Sequence, residues 1–121
     1  NTPTENLHYP EPPALRVHHH LIMAQSMAFQ NATWLVETAK CGVEDGFRMF
    51  GHSLIVAPTG EIAAKSVTEE DEVICFNCDI DLAQHLKRTM FDFAAHRRPE
   101  HYRLIVERTG AEVTPANARD D

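Results

Sequence analysis

The sequence has few cysteines and no long apolar run, and each shortage excludes a class of protein. Its 121 residues include three cysteines, an odd and low number that does not fit the disulfide scaffold of a small secreted domain. We therefore expect reduced thiols and a cytoplasmic location. No run approaches the roughly 18 apolar residues that a transmembrane helix needs. Residues 1–13 carry neither a basic region nor an apolar core, so we expect no signal peptide there.

Positive charge is also scarce. Eleven Lys and Arg residues stand against 18 Asp and Glu residues, which gives a net charge of -7. The basic residues are scattered along the chain, and this excludes both the basic stripe of a nucleic-acid-binding protein and a polybasic membrane attachment. Internal repeats and low-complexity segments are absent as well. The remaining composition, 43% hydrophobic and 24% charged, is typical of one soluble globular domain.

The order of local patterns predicts a mixed α/β fold. Four prolines make residues 1–13 irregular, and a helix is predicted from about Ala14 to Asn31. The remaining elements are predicted as a strand at 33–43, a glycine-containing loop at 42–53, a hairpin at 53–66, a strand at 71–81, and a helix at 82–96 capped by Asp81. Consecutive strands with helices at both ends indicate one layer of an α/β sandwich, with α+β type layering.

His18, His19 and His20 form the first candidate metal site. Neighbouring side chains of a helix point about 100° apart, so three successive histidines cannot converge on one ion. A helical metal pair needs ligands four residues apart, but the residues four positions on are Ile22, Met23 and Ala24. We therefore expect polar surface and partly buried helix positions here, without a metal.

Cys75 and Cys78 form a C-x-x-C pair. In redox proteins such a pair begins a helix, which lowers the pKa of the first thiol. Here the pair lies inside a strand pattern, where residues three apart point to opposite faces, and no second pair supplies further zinc ligands. We expect two ordinary strand cysteines.

Two other segments contain a residue that could act as a nucleophile, but each lacks a feature that a nucleophile requires. Cys41 lies near Glu37 and Glu44 in sequence, but a nucleophilic cysteine needs a base within hydrogen-bond reach, and no such dyad is evident. Gly51-His52-Ser53 lacks the second glycine of a nucleophile elbow and precedes a strand. The residues alone therefore contain no complete active site.

Several segments together resemble one family. FQNATW, GHSLIVAPTGEI, DEVICFNCDIDL and RRPEHYRLI are similar to the C-terminal part of nitrilase-superfamily amidohydrolases. The pattern formed by Gly51, Ser53, Ile55, Pro58 and Gly60 carries much of this resemblance. The opening NTPT, the histidines ahead of LIMAQSMAFQN, and HRRPEHY resemble the N-carbamoyl-D-amino acid amidohydrolases (D-carbamoylases) within it. The resemblance runs from residue 1 to about 107.

The resemblance implies an αββα sandwich, of which residues 1–108 are the C-terminal part and 109–121 a flexible tail. It implies a Glu–Lys–Cys triad in which Glu is the general base, the Cys thiolate attacks the carbamoyl carbon, and Lys stabilises the intermediate. No metal or organic cofactor is implied. All three triad residues lie upstream of the matched segment in the family, so we expect no catalytic residue in this chain and no activity from it alone.

For this chain the resemblance implies a substrate contact at Asn1 and Thr2, whose amide and hydroxyl suit a substrate carboxylate. The expected partners are an N-carbamoyl amino acid, the missing N-terminal part of the same enzyme, and further copies of the chain. Subunit contacts are implied for residues 14–31 and 97–106. Two alternatives remain open: a non-catalytic binding or assembly domain, and a sister activity such as β-ureidopropionase or aliphatic amidase.

Overall fold

The computed structural model describes residues 11–107. A long helix packs on a three-stranded antiparallel sheet, and a separate two-stranded hairpin lies between the first and second of those strands in sequence. The elements are α1 Pro13–Gln30, β1 Leu35–Glu37, β2 Cys41–Glu44, β3 Phe47–Phe50, β4 Leu54–Val56, β5 Ile62–Lys65, α2 Ala83–Arg88, α3 Phe93–His96 and α4 Arg103–Glu107. Short 3₁₀ turns occupy Ile80–Leu82 and Pro99–His101. The mixed α/β fold class is thus observed.

Helix α1 confirms the predicted first helix. Pro13 stands at its first position, where the missing N–H leaves no hydrogen bond unmade. The helix ends at Gln30 and is capped by Asn31, whose side-chain amide donates to the Met27 carbonyl at 2.9 Å. Ala32 then turns the chain with a positive φ of 45°, which directs it into β1.

The core lies between α1 and the middle strand of the sheet. His20, Ala24 and Ala28 are the buried residues of α1, and their spacing of four places them on one face. The two alanines are short, so the helix approaches β4 closely. Leu54 and Val56 of that strand are fully buried against it, and this packing fixes the position of α1 over the sheet.

The predicted hairpin at 53–66 is confirmed as β4 and β5, which complete the sheet order β1-β4-β5. Gly60 has a φ of 93° in its turn, a conformation that favours glycine. Gln25 of α1 donates to the Gly60 carbonyl at 2.7 Å. A Cβ on Gly60 would lie 3.5 Å from the Cβ of Phe29, so the turn and the helix pack directly on each other.

The loop predicted at 42–53 is wrong, because β2 and β3 form a regular hairpin there. Its two turn residues are Asp45 and Gly46, with φ values of 51° and 83°. A two-residue turn with positive φ at both positions matches the right-handed twist of the flanking strands. The glycine that suggested a loop is instead the turn residue of a hairpin.

Two predicted strands also differ from the structure. The strand at 33–43 is divided into β1 and the start of β2, since the chain leaves the first sheet after Glu37. The strand at 71–81 is wrong: residues 71–79 form no ladder with any described strand. Its β-branched and aromatic residues favour a strand, but a strand also needs a partner with free backbone groups.

The helix predicted at 82–96 is interrupted. It divides into α2 and α3, and Thr89 between them has φ -129° and ψ -89°. The Thr89 hydroxyl donates to the His85 carbonyl at 2.8 Å, a side-chain bond that competes with regular helix continuation. The cap is displaced too, because Asp79 rather than Asp81 accepts the first backbone N–H of this region. Across residues 11–107 no helix is both long and apolar enough to cross a membrane.

Candidate functional site

Of the three consecutive histidines, His20 is the one that the fold buries. It is 5% exposed and lies on the buried face of α1, whereas its two predecessors are exposed. Its Nε2–H donates to the backbone carbonyl of His52 at 2.9 Å, and its Nδ1 lies 3.9 Å from the Glu37 carboxylate. Its ring meets the Phe50 ring edge-on at 5.8 Å. His20 therefore connects α1 to β1 and to the corner between β3 and β4.

His52 occupies that corner in a strained conformation. Its φ is 62°, which costs free energy for a residue with a side chain and persists only where neighbours compensate. The contact from His20 is one such compensation. Burial lowers the pKa of His52, and the charges of Lys65 and His20 act in the same direction. The His52 ring is therefore neutral at neutral pH.

This histidine pair lacks the access that catalysis requires. The His52 Nδ1 atom is buried and has no hydrogen-bond partner among the described residues. A neutral imidazole nitrogen can accept a proton. A buried nitrogen that solvent does not reach cannot accept one from a bound substrate. The cluster of His20, Glu37, Phe50 and His52, which we call the histidine corner, therefore holds the fold together in this chain.

A cavity of about 390 Å³ opens beside the histidine corner, where the chain leaves β1, β3 and β5. Hydroxyl groups of Ser and Thr residues and the acidic run 70–72 line it. Its volume lies near the lower end of the roughly 300–1,000 Å³ of small-molecule sites. Much of the polar lining is engaged internally, since Ser53 Oγ accepts from the Ala39 N–H at 3.0 Å and Glu72 accepts from two backbone N–H groups at 2.9 Å.

Cys41 lines this cavity, and its surroundings oppose nucleophilic catalysis. The thiol donates to Asp71 Oδ1 at 3.7 Å. Desolvation, followed by the hydrogen bond to Asp71 and the negative charge of Asp71, raises the pKa of the Cys41 thiol. The thiolate is the reactive form of cysteine. The Asp71 carboxylate accepts the thiol hydrogen, but the raised pKa favours the thiol form of Cys41 over the thiolate.

The C-x-x-C pair also forms no site in the structure. Cys75 and Cys78 are free thiols, and they lie in the segment without secondary structure rather than in the predicted strand. Cys78 Sγ contacts the Phe76 carbonyl at 3.9 Å. Within residues 11–107 no group of three His, Cys, Asp or Glu side chains converges as a metal site would require. His19 instead lies 3.3 Å from the Glu11 carboxylate.

Comparison with protein families identifies the domain. The family model described as carbon–nitrogen hydrolase matches residues 4–88, which is most of the chain. The chain belongs to the carbon–nitrogen hydrolase family. The nitrilase-superfamily resemblance seen in the sequence is therefore confirmed at the level of the family.

Two relatives agree with this membership. A protein described as a probable nitrilase from Schizosaccharomyces pombe is 29% identical over 85 residues, which is 70% of this chain and 31% of that protein. The crystal structure of a carbon–nitrogen hydrolase from Helicobacter pylori G27 matches with a TM-score of 0.67 at 23% identity, over 81% of this chain and 36% of that one. The second match supports the nitrilase-like α/β fold. The chain spans about a third of the length of both proteins.

The residues predicted to contact substrate cannot be placed. Asn1 and Thr2 lie outside the described residues, as does the predicted tail at 109–121. The division into a domain at 1–108 and a tail stays a prediction.

Sequence reasoning did not find the histidine corner or the partner of Cys41. The sequence did contain one indication of the histidine corner. His52 lies between Gly51 and the apolar stretch that begins at Leu54, where a polar ring is unusual. Asp71 lies 30 residues from Cys41 in sequence, and no local signal links the two.

Proposed function

We propose that this chain is the C-terminal portion of an amidohydrolase that removes the carbamoyl group from N-carbamoyl-D-amino acids. The products are the D-amino acid, carbon dioxide and ammonia. The observation that carries the proposal is the family match over residues 4–88, since carbon–nitrogen bond hydrolysis defines that family. The finer choice of substrate rests on the NTPT opening and on HRRPEHY, which resemble the D-carbamoylases.

The proposed nucleophile is a cysteine outside this chain, within a Glu–Lys–Cys triad. In the proposed mechanism Glu takes the thiol proton and the thiolate attacks the carbamoyl carbon. Lys stabilises the negative oxygen, and the amino acid leaves with a proton. Water then hydrolyses the carbamoyl enzyme. The environment of Cys41 supports this placement, because desolvation and the contact with Asp71 raise the pKa of its thiol and so disfavour the thiolate. No metal or organic cofactor takes part in this mechanism.

Self-association is part of the same proposal. Five large apolar side chains of α1 face solvent in the single chain, with exposures between 37% and 57%: Leu15, Ile22, Met23, Met27 and Phe29. An apolar helix face of this kind is typical of a protein interface. We propose that α1 and residues 97–106 contact further copies of the enzyme, and that the enzyme is cytoplasmic.

Ammonia release tests the proposal. The 121-residue chain alone releases no ammonia from N-carbamoyl-D-phenylglycine, whereas the chain together with the remaining portion of the hydrolase does. Activity from the chain alone contradicts the placement of the triad. N-carbamoyl-L-phenylglycine, N-carbamoyl-β-alanine and acetamide are the matched substrates, and faster turnover of either of the last two assigns a sister activity instead. Absence of activity with all four substrates assigns a binding or assembly domain.

A further inference from the structure

A second cavity, of about 540 Å³, opens between the end of α1 and the C-terminal helices. Five residues line this cavity, which we call the arginine cavity: Asn31, Phe93, His96, Arg97 and Tyr102. They come from the cap of α1, from α3, and from the chain between α3 and α4. The volume lies within the roughly 300–1,000 Å³ of small-molecule sites. None of the five residues belongs to the histidine corner or to the cavity beside it, so the arginine cavity is a separate site.

The polar groups of the arginine cavity are mainly hydrogen-bond donors. The Arg97 guanidinium presents five N–H groups, and the His96 ring carries at least one N–H in every protonation state. The Tyr102 oxygen already accepts the Arg98 backbone N–H at 3.1 Å, and its own hydrogen can be donated to a ligand. Asn31 uses one amide N–H on a carbonyl of α1 and carries a second. Among residues 11–107, no Asp or Glu lines the cavity, so its lining suits an anion.

Arg97 supplies the positive charge of the arginine cavity, and its neighbours hold it in place. Its backbone N–H donates to the Phe93 carbonyl at 3.0 Å, and its guanidinium carbon lies 5.7 Å from the centre of the Tyr102 ring, a cation–π distance. Within residues 11–107, Arg97 forms no ion pair with a carboxylate, whereas Arg48 and Arg103 each do. A guanidinium that already stacks on a ring loses little freedom when it binds a carboxylate through two parallel hydrogen bonds.

An aromatic wall forms the apolar part of the arginine cavity. The centre of the Phe93 ring lies 6.3 Å from that of Phe91, and the Phe91 ring meets the Phe29 ring of α1 edge-on at 5.1 Å. These contacts join the wall to α1. Phe93 is still 45% exposed, so its ring has apolar surface that a ligand can cover. A guanidinium beside such a wall matches an organic carboxylate, because an inorganic anion has no apolar group to place on the ring.

We propose that the arginine cavity binds a small organic carboxylate, whose carboxylate contacts Arg97 and the Tyr102 hydroxyl and whose apolar group covers Phe93. Four of the five lining residues lie beyond residue 88, where the family match ends, so that match assigns them no role. The local charge favours such a ligand. The whole chain has a net charge of -7, but residues 96–103 contain three Arg and one Glu, so an anion meets a locally positive surface. The inference does not depend on the proposed function.

Titration of the ¹⁵N-labelled 121-residue chain with phenylacetate, followed by nuclear magnetic resonance, tests this site. Phenylacetate combines a carboxylate with a ring, and we expect a dissociation constant in the millimolar range for its roughly ten non-hydrogen atoms. The amide shifts concentrate at residues 31 and 93–102. Phenylacetamide lacks the charge and acetate lacks the ring, so each binds at least about tenfold more weakly. Equal binding of either control contradicts the proposal, and so does tighter binding of inorganic phosphate.

Matched variants separate the site from general charge effects. Arg97→Gln changes an exposed side chain and weakens phenylacetate binding by about tenfold, because it removes the charged donor. Arg88→Gln removes the same charge from α2, outside the cavity, and leaves binding unchanged. Tyr102→Phe weakens binding by about two- to fivefold, as expected for one hydrogen bond. Equal binding by the two arginine variants contradicts the site, and unchanged binding by Tyr102→Phe contradicts the role of the hydroxyl.

The concentration of the chain provides a further test, because Arg97 lies in the segment proposed to contact further copies. The titration is therefore repeated at a tenfold higher chain concentration. An unchanged dissociation constant supports a ligand site in the single chain. A dissociation constant that rises with chain concentration assigns the cavity to the contact between copies and contradicts the proposal. Binding is measured without substrate, so failure of the proposed function in the ammonia assay leaves this result unaffected.

Discussion

Loss of the His20 side chain is expected to destabilise the folded chain measurably, because His20 is buried and hydrogen-bonded. His20→Leu keeps an apolar volume at the buried face of α1 but removes the Nε2–H donor. The carbonyl of His52, which accepts that hydrogen at 2.9 Å, is then left without this partner, at a cost of about 1–2 kcal/mol. The edge-on contact with Phe50 at 5.8 Å is lost as well, which adds about 0.5–1.5 kcal/mol.

We therefore expect His20→Leu to lower the free energy of unfolding by about 2–3 kcal/mol. His20→Gln retains an amide donor of similar reach, so it restores about 1 kcal/mol of this loss. His18→Leu is the matched control, because His18 is exposed on the same helix and surface substitutions usually change stability by about 0.5 kcal/mol or less.

Urea unfolding measures these differences. Trp34 is the single tryptophan of the chain, and its contacts with Phe76 and Asp79 make its fluorescence sensitive to the fold. Circular dichroism provides a second probe that reports mainly on α1. Equal stability of His20→Leu and His18→Leu would refute the role of the histidine corner. A loss in His20→Gln as large as in His20→Leu would refute the hydrogen bond as its cause.

Three other sites give predictions of their own: His52, the Cys41–Asp71 contact and the Gly46 turn. Burial, Lys65 and His20 lower the pKa of His52, so the unfolded chain binds more protons. The contribution of His52 to the free energy of unfolding is therefore fully present above about pH 6.5 and is lost as the pH falls through its lowered folded-state pKa. His52→Asn reduces this slope in thermal melts, and an unchanged slope contradicts the assignment. Desolvation and the contact with Asp71 raise the pKa of Cys41. Asp71→Asn removes the negative charge while it keeps an accepting amide oxygen, so iodoacetamide alkylates Cys41 faster at pH 7.5. Peptide mass spectrometry with the other two cysteines as internal controls checks this, and an unchanged rate argues against the charge effect. Gly46→Ala places a side chain at a φ of 83° and lowers stability by about 1 kcal/mol, as chemical denaturation measures, and a neutral result excludes the strained turn.

The elements that sequence reasoning predicted correctly depend on neighbours along the chain. The first helix follows from its helical spacing and from Pro13, and the β4–β5 hairpin follows from Pro58 and Gly60. The β2–β3 hairpin was missed although Asp45-Gly46 is a strong turn signal. That error came from interpreting glycines as a loop, and the information needed to avoid it was present locally.

The wrong strand at 71–81 has a different cause. Its composition favours a strand, and the structure gives it no partner within residues 11–107. Strand pairing is a non-local interaction, so composition alone cannot decide whether the backbone groups of a segment find a ladder. The helix predicted at 82–96 was divided for a related reason, since the side-chain bond of Thr89 to the His85 carbonyl depends on the local geometry that the fold selects.

The family resemblance and the first helix could be predicted from the sequence, because both depend on short-range patterns of residue type. The sequence also showed that three consecutive histidines cannot share a metal, since helix geometry separates their side chains. Tertiary packing was needed to show that His20 is buried while His18 and His19 are exposed, and that Cys41 meets Asp71 across 30 residues of chain. The physical reason is that burial and side-chain partners depend on which surfaces the packed helix and strands bring together.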